Sequence, residues 1–333
     1  MTWIRRHANV SVVFSLVVAL GLLAYVAYVG TARASAGQVW TIVQRTWLWV
    51  LVLTVPYLVA RALVWYELLR ELKIRVPFRQ MAAAFAGGEM TKSLPAGVYV
   101  QNFLLGRLTH LSTHSTIRST MATTATLGLE SLLALPVALI IGIPGASWLT
   151  WTLLGVVAGW VVVLILAWLL VHYRSLHMGP NVAAWRQRIV HATEEFLQAG
   201  GELLSIKTAK NLPPTAVYML IYAFDLYIIL RAVGVHNVSF LQTMGIYALV
   251  VLSVILVPIP TELGITEFAG LGGLLAYGVP RSTAAIIMLS LRLLATGATI
   301  LVAVVVLVLV RHELARVQAA AGTSTSDAPA GPG

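Results

Sequence analysis

The chain has no cysteine in 333 residues, which removes a disulfide framework, a thiolate nucleophile and cysteine-ligated zinc or iron–sulfur centres from consideration. Charge is almost as scarce: Asp, Glu, Lys and Arg make up 10% of the residues, where a soluble domain draws roughly a quarter from those four types. That shortage excludes an ordinary globular enzyme and a charged, disordered scaffold. Acidic residues are the fewest, 12 against 22 basic ones. In a soluble chain this excess would point to nucleic acid. Beside 59% apolar residues and a mean hydropathy of +0.87 it marks the cytoplasmic face of a membrane protein and anionic headgroups, so no nucleic acid is expected as a partner.

Long apolar sequence is what the chain has in abundance. Stretches of about 20 residues, the length that crosses a hydrocarbon core of roughly 30 Å, lie near 9–30, 47–69, 119–142, 149–171, 213–233 and 281–310. Two further regions, 81–109 and 240–277, are interrupted by Pro95-Ala96-Gly97 and by Pro258-Ile259-Pro260. Proline removes a backbone donor and clashes with the preceding turn, so a helix breaks there; a break at membrane depth has to line a cavity or be buried in protein. The expected fold is an all-α polytopic integral membrane protein with six full transmembrane helices and two broken or re-entrant helical hairpins.

Arg5 and Arg6 before the first span and Ala34-Ser35-Ala36 after it outline a secretory signal. The apolar core, at about 20 residues, exceeds the roughly 7 to 15 of a signal peptide, which favours an uncleaved anchor. With the N-terminus inside, fifteen Lys and Arg residues fall in cytoplasmic segments and four, Arg33, Arg45, Arg231 and Arg281, fall outside. The positive-inside rule then puts both termini on the cytoplasmic side of the inner membrane. Within 172–212, Val182, Trp185, Ile189, Ala192, Phe196, Ala199 and Leu203 recur at three- and four-residue steps, on one helical face. The stripe predicts a cytoplasmic interfacial insertion over 172–212, a helix lying on the membrane surface; a helix packed under the bundle carries the same stripe. Residues 1–318 read as one transmembrane domain, and 319–333, small and polar with Pro and Gly, as a disordered cytoplasmic tail.

The order span, span, broken hairpin, span occurs twice, over 9–142 and over 149–310. If each hairpin returns to its own side, each half crosses three times and the second is inverted relative to the first, an arrangement common among secondary transporters. Chance symmetry among hydrophobic helices produces the same order.

Ionisable side chains in lipid are costly unless paired or hydrated, so each is a candidate for function. Arg61, Glu89, Lys92, Glu130, Asp225, Glu262, Glu267 and Arg292 all fall in apolar segments or beside the breaks. Glu89 and Lys92, three apart, share a helical face and can neutralise one another. The halves are complementary in sign: Arg61 faces Asp225 in the corresponding span, Glu130 faces Arg292, and Lys92 faces Glu262 and Glu267 in the hairpins. Pairing across a pseudo-twofold would satisfy these charges and frame a polar cavity for a charged or zwitterionic headgroup. An ion-pair network that only holds the fold together is the other reading.

Catalytic motifs fail on inspection. Gly87-Gly88-Glu89-Met90-Thr91-Lys92-Ser93 has Thr91 where a phosphate loop requires glycine before its lysine, and no strand precedes it, so no ATP site is expected. His110 and His114 are four apart but lack the acidic neighbour of a zinc-protease helix. No Ser/His/Asp set can be argued from eight scattered histidines. The chain is therefore expected to bind no metal and no cofactor and to have no catalytic residue.

Pro260 followed by Gly264-Ile265-Thr266-Glu267, Gly278-Val279, Ala284-Ala285 and Arg292 resembles the C-terminal signature of the lysylphosphatidylglycerol synthase transmembrane, flippase-like family. Leu94-Pro95-Ala96-Gly97, with Leu104, Leu105 and Arg107, is similar to that family's first signature, although Val98-Tyr99-Val100-Gln101 stands where members often have a further Gly and an acidic residue. The resemblance runs from about residue 10 to 312. It implies the membrane half of proteins that make aminoacylated phosphatidylglycerol and move it across the bilayer. A soluble acyltransferase-like domain performs the synthesis in those relatives, and no polar segment here has the length of one, so translocation without a synthetase or ATPase is the expected activity.

In this reading Glu262, Glu267 and Arg292 contact the headgroup or a coupling ion, Lys92 and Arg107 meet the lipid phosphate, Glu89 belongs to the same substrate-binding set, and Pro95, Gly97, Pro258, Pro260 and Gly264 set the breaks. The expected partners are membrane lipids with anionic or zwitterionic headgroups. A homo-oligomer stays open. The alternative is a non-catalytic membrane partner of a lipid-modifying or glycosyl-transferring enzyme, and an intramembrane headgroup transferase lacks a recognisable catalytic set.

Overall fold

The computed structural model describes residues 17, 20–28, 36–94, 97–142, 184–256 and 262–323, and these are helices joined by short turns, with no strand among them. The expected span at 149–171, most of that at 9–30, the prolines at 95, 258 and 260, and the tail beyond Thr323 lie outside the described residues. A helical segment at 20–28 is followed by α1 (Ala36–Glu71), α2 (Phe78–Thr91), α3 (Val100–Thr109), α4 (Thr113–Ile141) and α5 (Ala184–Leu203). After them come α6 (Leu212–Ala232), α7 (Phe240–Leu256), α8 (Ile265–Ala276) and α9 (Arg281–Thr323). Four of the described helices are long and apolar enough to cross a membrane: α1, α4, α6 with the short 3-10 turn before it, and α9. They coincide with four of the six expected spans. α9 continues past residue 318, where the sequence places the end of the membrane domain.

Local chemistry explains several boundaries. Ser112 caps α4 by accepting from the backbone N–H of Ser115 at 3.2 Å. Pro213 and Pro214 stand in the first turn of α6, where no backbone donor is lost. Pro56 and Pro136, by contrast, lie inside α1 and α4 without ending them, as neighbouring helices allow in membrane proteins. At the first break the deciding residue is Gly97: a Cβ there would lie 1.7 Å from the carbonyl oxygen of Thr91, so only glycine lets the chain double back. At the second, Gly264 takes φ +79°, a left-handed conformation that favours glycine.

Both hairpins form, and they enter from opposite ends of the bundle. At one end Thr208 Oγ1 and Asn211 Nδ2 donate to Glu71 at 2.8 and 3.4 Å, and Arg118 Nη2 to the Leu72 carbonyl at 3.4 Å, so the end of α1 meets the starts of α4 and α6. Hairpin α2/α3 leaves from this end and returns to it. At the other end the Tyr277 hydroxyl donates to the Gly142 carbonyl at 2.7 Å, and Gln38, Val233 and Thr283 line one cleft. Hairpin α7/α8 starts and finishes there.

α1 packs against α6 and α9, α2 against α9, and α7 against α4, while each hairpin packs against itself. Glycines permit the close approach inside the hairpins. A Cβ on Gly88 would meet Gln101 of α3 at 2.5 Å, and one on Gly273 would meet Ile246 of α7 at 3.0 Å. The buried end of the α5 stripe, Ala199 and Leu203, packs with the bundle; Glu202 pairs with Arg118 of α4, and Glu195 with His114 at 2.6 Å.

Candidate functional site

The two hairpin tips meet inside the bundle. Lys92 directly follows α2 and Glu262 shortly precedes α8, and their charged atoms lie 3.8 Å apart. Three cations and four carboxylates collect around this point. Arg61 of α1 donates from Nη1 to Glu89 Oε1 at 3.0 Å and reaches Glu130 of α4 from Nε at 3.4 Å. Lys92 Nζ lies 3.1 Å from Glu89 Oε2 and donates to the Tyr57 hydroxyl at 3.3 Å, its charge resting over the Tyr57 ring. Glu130 also accepts from the Tyr218 hydroxyl at 2.9 Å.

Arg292 ties the second tip together. Its Nε donates to Glu267, its Nη2 donates to the Glu262 carbonyl at 2.6 Å and to Thr266 Oγ1 at 2.7 Å, and its Nη1 reaches Ser93 of the first tip at 3.4 Å. Glu267 uses its other oxygen to accept from the Gly264 backbone N–H at 2.6 Å, closing the first turn of α8. With 1% of its surface exposed, Glu267 is committed to the cap and to Arg292.

Between these groups lie two small chambers that share Tyr57, Lys92, Tyr222 and Glu262, with free volumes of about 30 and 50 Å³. A water needs at least about 10–15 Å³ of such space, so the chambers take a few waters and no lipid headgroup.

The candidate residues sort by position. Glu89, Lys92, Glu262 and Arg292 line the first chamber together. Glu267 sits behind Arg292, toward Leu226 and Met288. Arg107 is not brought to the cavity: it is exposed in the last turn of α3, stacked over the Phe103 ring at 5.2 Å. The pairing expected between corresponding spans is also not what forms. Arg61 pairs with Glu89 and Glu130 of its own half, Arg292 with Glu267 and Glu262, and among the described residues the Lys92–Glu262 ion pair crosses between the hairpins as expected. Asp225, the expected partner of Arg61, makes no ion pair with a described residue.

Sequence reasoning passed over the tyrosines. Tyr57, Tyr218, Tyr222 and Tyr247 wall the site, Tyr57 edge-on to Tyr218 at 5.8 Å and Tyr222 stacked on Tyr247 at 4.8 Å. The signal was available in α6, where Tyr218, Tyr222 and Asp225 follow at four and three residues on one face. Among the described residues no three His, Cys, Asp or Glu side chains are grouped to hold a metal ion.

Residues 12–303 match the family model described as lysylphosphatidylglycerol synthase TM region. No curated protein and no solved structure matches the chain.

Proposed function

Because the chain belongs to the lysylphosphatidylglycerol synthase TM region family, a family of membrane domains linked to lipid metabolism, we propose that this multi-pass membrane protein is a lipid translocase or scramblase of the cytoplasmic (inner) membrane. It passes the headgroup through the charged cavity between the hairpin tips while the acyl chains stay in lipid, with no ATPase of its own. The observation that carries this reading is the meeting of Lys92, Glu262 and Arg292 where two interrupted helices end inside the bundle. Charges so placed are expensive unless something uses them. The four carboxylates of the ion-pair network outnumber its three cations, which suits a headgroup carrying both an amine and a phosphate, as aminoacylated phosphatidylglycerol does. Its amine would exchange for Lys92 on Glu262, and its phosphate would take up Lys92 and Arg292.

The chambers are too small for that headgroup, so transport requires the tips to part. Hairpins entering from opposite ends, and the reciprocal packing of α2 on α9 and of α7 on α4, support two inverted repeats within a six-span architecture, whose relative rocking would open the site to either side. Both termini are cytoplasmic in this arrangement.

The test is reconstitution of the purified chain in liposomes with lysyl-phosphatidylglycerol in the inner leaflet, read by an impermeant amine-reactive reagent outside. The wild type should expose the lipid. Lys92→Met and Glu262→Gln should slow exposure by more than any loss of folded protein accounts for, the folded fraction being read by size-exclusion chromatography of the same samples. A wild type that moves no lipid, or variants as fast as the wild type, would overturn the reading.

A further inference from the structure

Asp225 is the charged group of the cavity that the network leaves out. It stands within α6, 4% exposed, lining the first chamber, and its Oδ1 has no hydrogen-bond partner. Among the buried polar atoms described as lacking a partner, it alone lines that chamber. The titratable and charged groups around the chamber are Tyr57 from α1, Glu89 and Lys92 from the end of α2, Glu262 from the link before α8, Arg292 from α9, and Tyr222 from α6 itself. Neither cation has an arm to spare. Lys92 is held between Glu89 at 3.1 Å and Glu262 at 3.8 Å, and Arg292 by Glu267, Glu262, Thr266 and Ser93.

We propose that Asp225 is a proton-binding site of this cavity. A carboxylate held in a low-dielectric wall with an orphaned oxygen and no ion-pair partner among the described residues is strongly disfavoured, and neutralisation is the outcome such groups adopt. One wall residue suits the neutral form. Thr54 already donates its hydroxyl proton to the Val50 carbonyl at 2.7 Å, so what it offers the chamber is an acceptor, which a carboxylic acid can use and a carboxylate cannot. The step is a simple exchange: the carboxylate takes a proton from a hydronium ion in the cavity water, leaving water, and returns it when a cationic amine enters beside it. The coupling of that exchange to headgroup movement rests on the proposed translocase activity; the proton site itself does not.

The chain contains just two aspartates, Asp225 and Asp327, which makes the site readable without touching it. In the full-length Asp327→Asn protein, carboxyl-13C aspartate reports Asp225 alone. In liposomes its NMR or infrared signal should be that of the acid, converting to carboxylate as pH is raised, on the same course in sodium and in choline buffers. A signal that is carboxylate throughout, acid throughout, or converted by sodium at fixed pH would overturn the proposal. A second arm compares lipid exposure with and without a pH gradient: the wild type should respond and Asp225→Asn should not, and a response that survives in Asp225→Asn would refute the coupling. A wild type that moves no lipid would sink the translocase reading, while the labelled carboxyl would still decide the proton site.

Discussion

Glu267 holds two structures together with its two oxygens, one closing the first turn of α8 through the Gly264 N–H and the other gripping Arg292. Because it is buried and bonded on both sides, its removal acts first on stability. Glu267→Gln keeps an acceptor for the cap but leaves Arg292 with the Glu262 carboxylate 3.9 Å away as its remaining counter-charge, and breaking one side of a buried pair costs up to roughly 3–5 kcal/mol. Each of Glu267→Gln and Arg292→Gln should therefore lower the melting temperature in detergent, and the double variant should melt above either single one. Strictly additive losses would show that the two residues do not act as a pair. The sequence made these groups legible as important, since charge in an apolar segment has to be explained. It did not reveal who pairs with whom. Complementary signs in corresponding spans suggested Arg61 with Asp225, yet the distances that decide pairing are set by how α1, α2 and α4 close around Arg61, which no local pattern encodes. The tyrosine wall was hidden for a related reason: aromatic residues in a membrane helix need no partner to be tolerated, so they raise no alarm until the fold turns them inward.

At the scale of the helix, the breaks depend on glycine as much as on proline. Pro56 and Pro136 sit inside continuous helices, whereas the chain turns where a residue without a Cβ allows it. Gly97→Ala would drive a methyl group into the Thr91 carbonyl, 1.7 Å from the ideal Cβ position, and Gly264→Ala would force φ +79° on a residue that disfavours it by about 1–2 kcal/mol. The first should abolish monodisperse protein in size-exclusion chromatography. The second should leave folded protein with a lower melting temperature. Wild-type behaviour from Gly97→Ala would mean that the first hairpin does not turn as described. The hairpins were readable from sequence because Pro95 and the Pro258/Pro260 pair interrupt long apolar regions; the arms of the first, 14 and 10 residues for α2 and α3, are each too short to cross a bilayer alone. The lodging of α5 was not, because its apolar stripe fits the membrane surface and the side of α4 equally well. The burial of Ala199 and Leu203 and the Arg118–Glu202 and His114–Glu195 contacts decide it.

For the whole molecule, the orientation and the path are both open to direct measurement, and the absence of cysteine makes the natural chain a ready background for each. His191 is exposed on α5, so His191→Cys should react with an impermeant maleimide only once the cytoplasmic side is opened; reaction from the outside of intact cells would reverse the topology. The central claim is that lipid passes where the two hairpin tips meet. Ser93 and Leu263 flank that meeting point, next to Lys92 and Glu262, and cysteines there leave every charge of the site in place. Lipid exposure in liposomes by the Ser93→Cys/Leu263→Cys protein, measured before and after closing the tips with a short reducible thiol cross-linker, is the most direct test. The account predicts transport that stops on cross-linking and returns on reduction, and transport that continues with the tips covalently joined would contradict it.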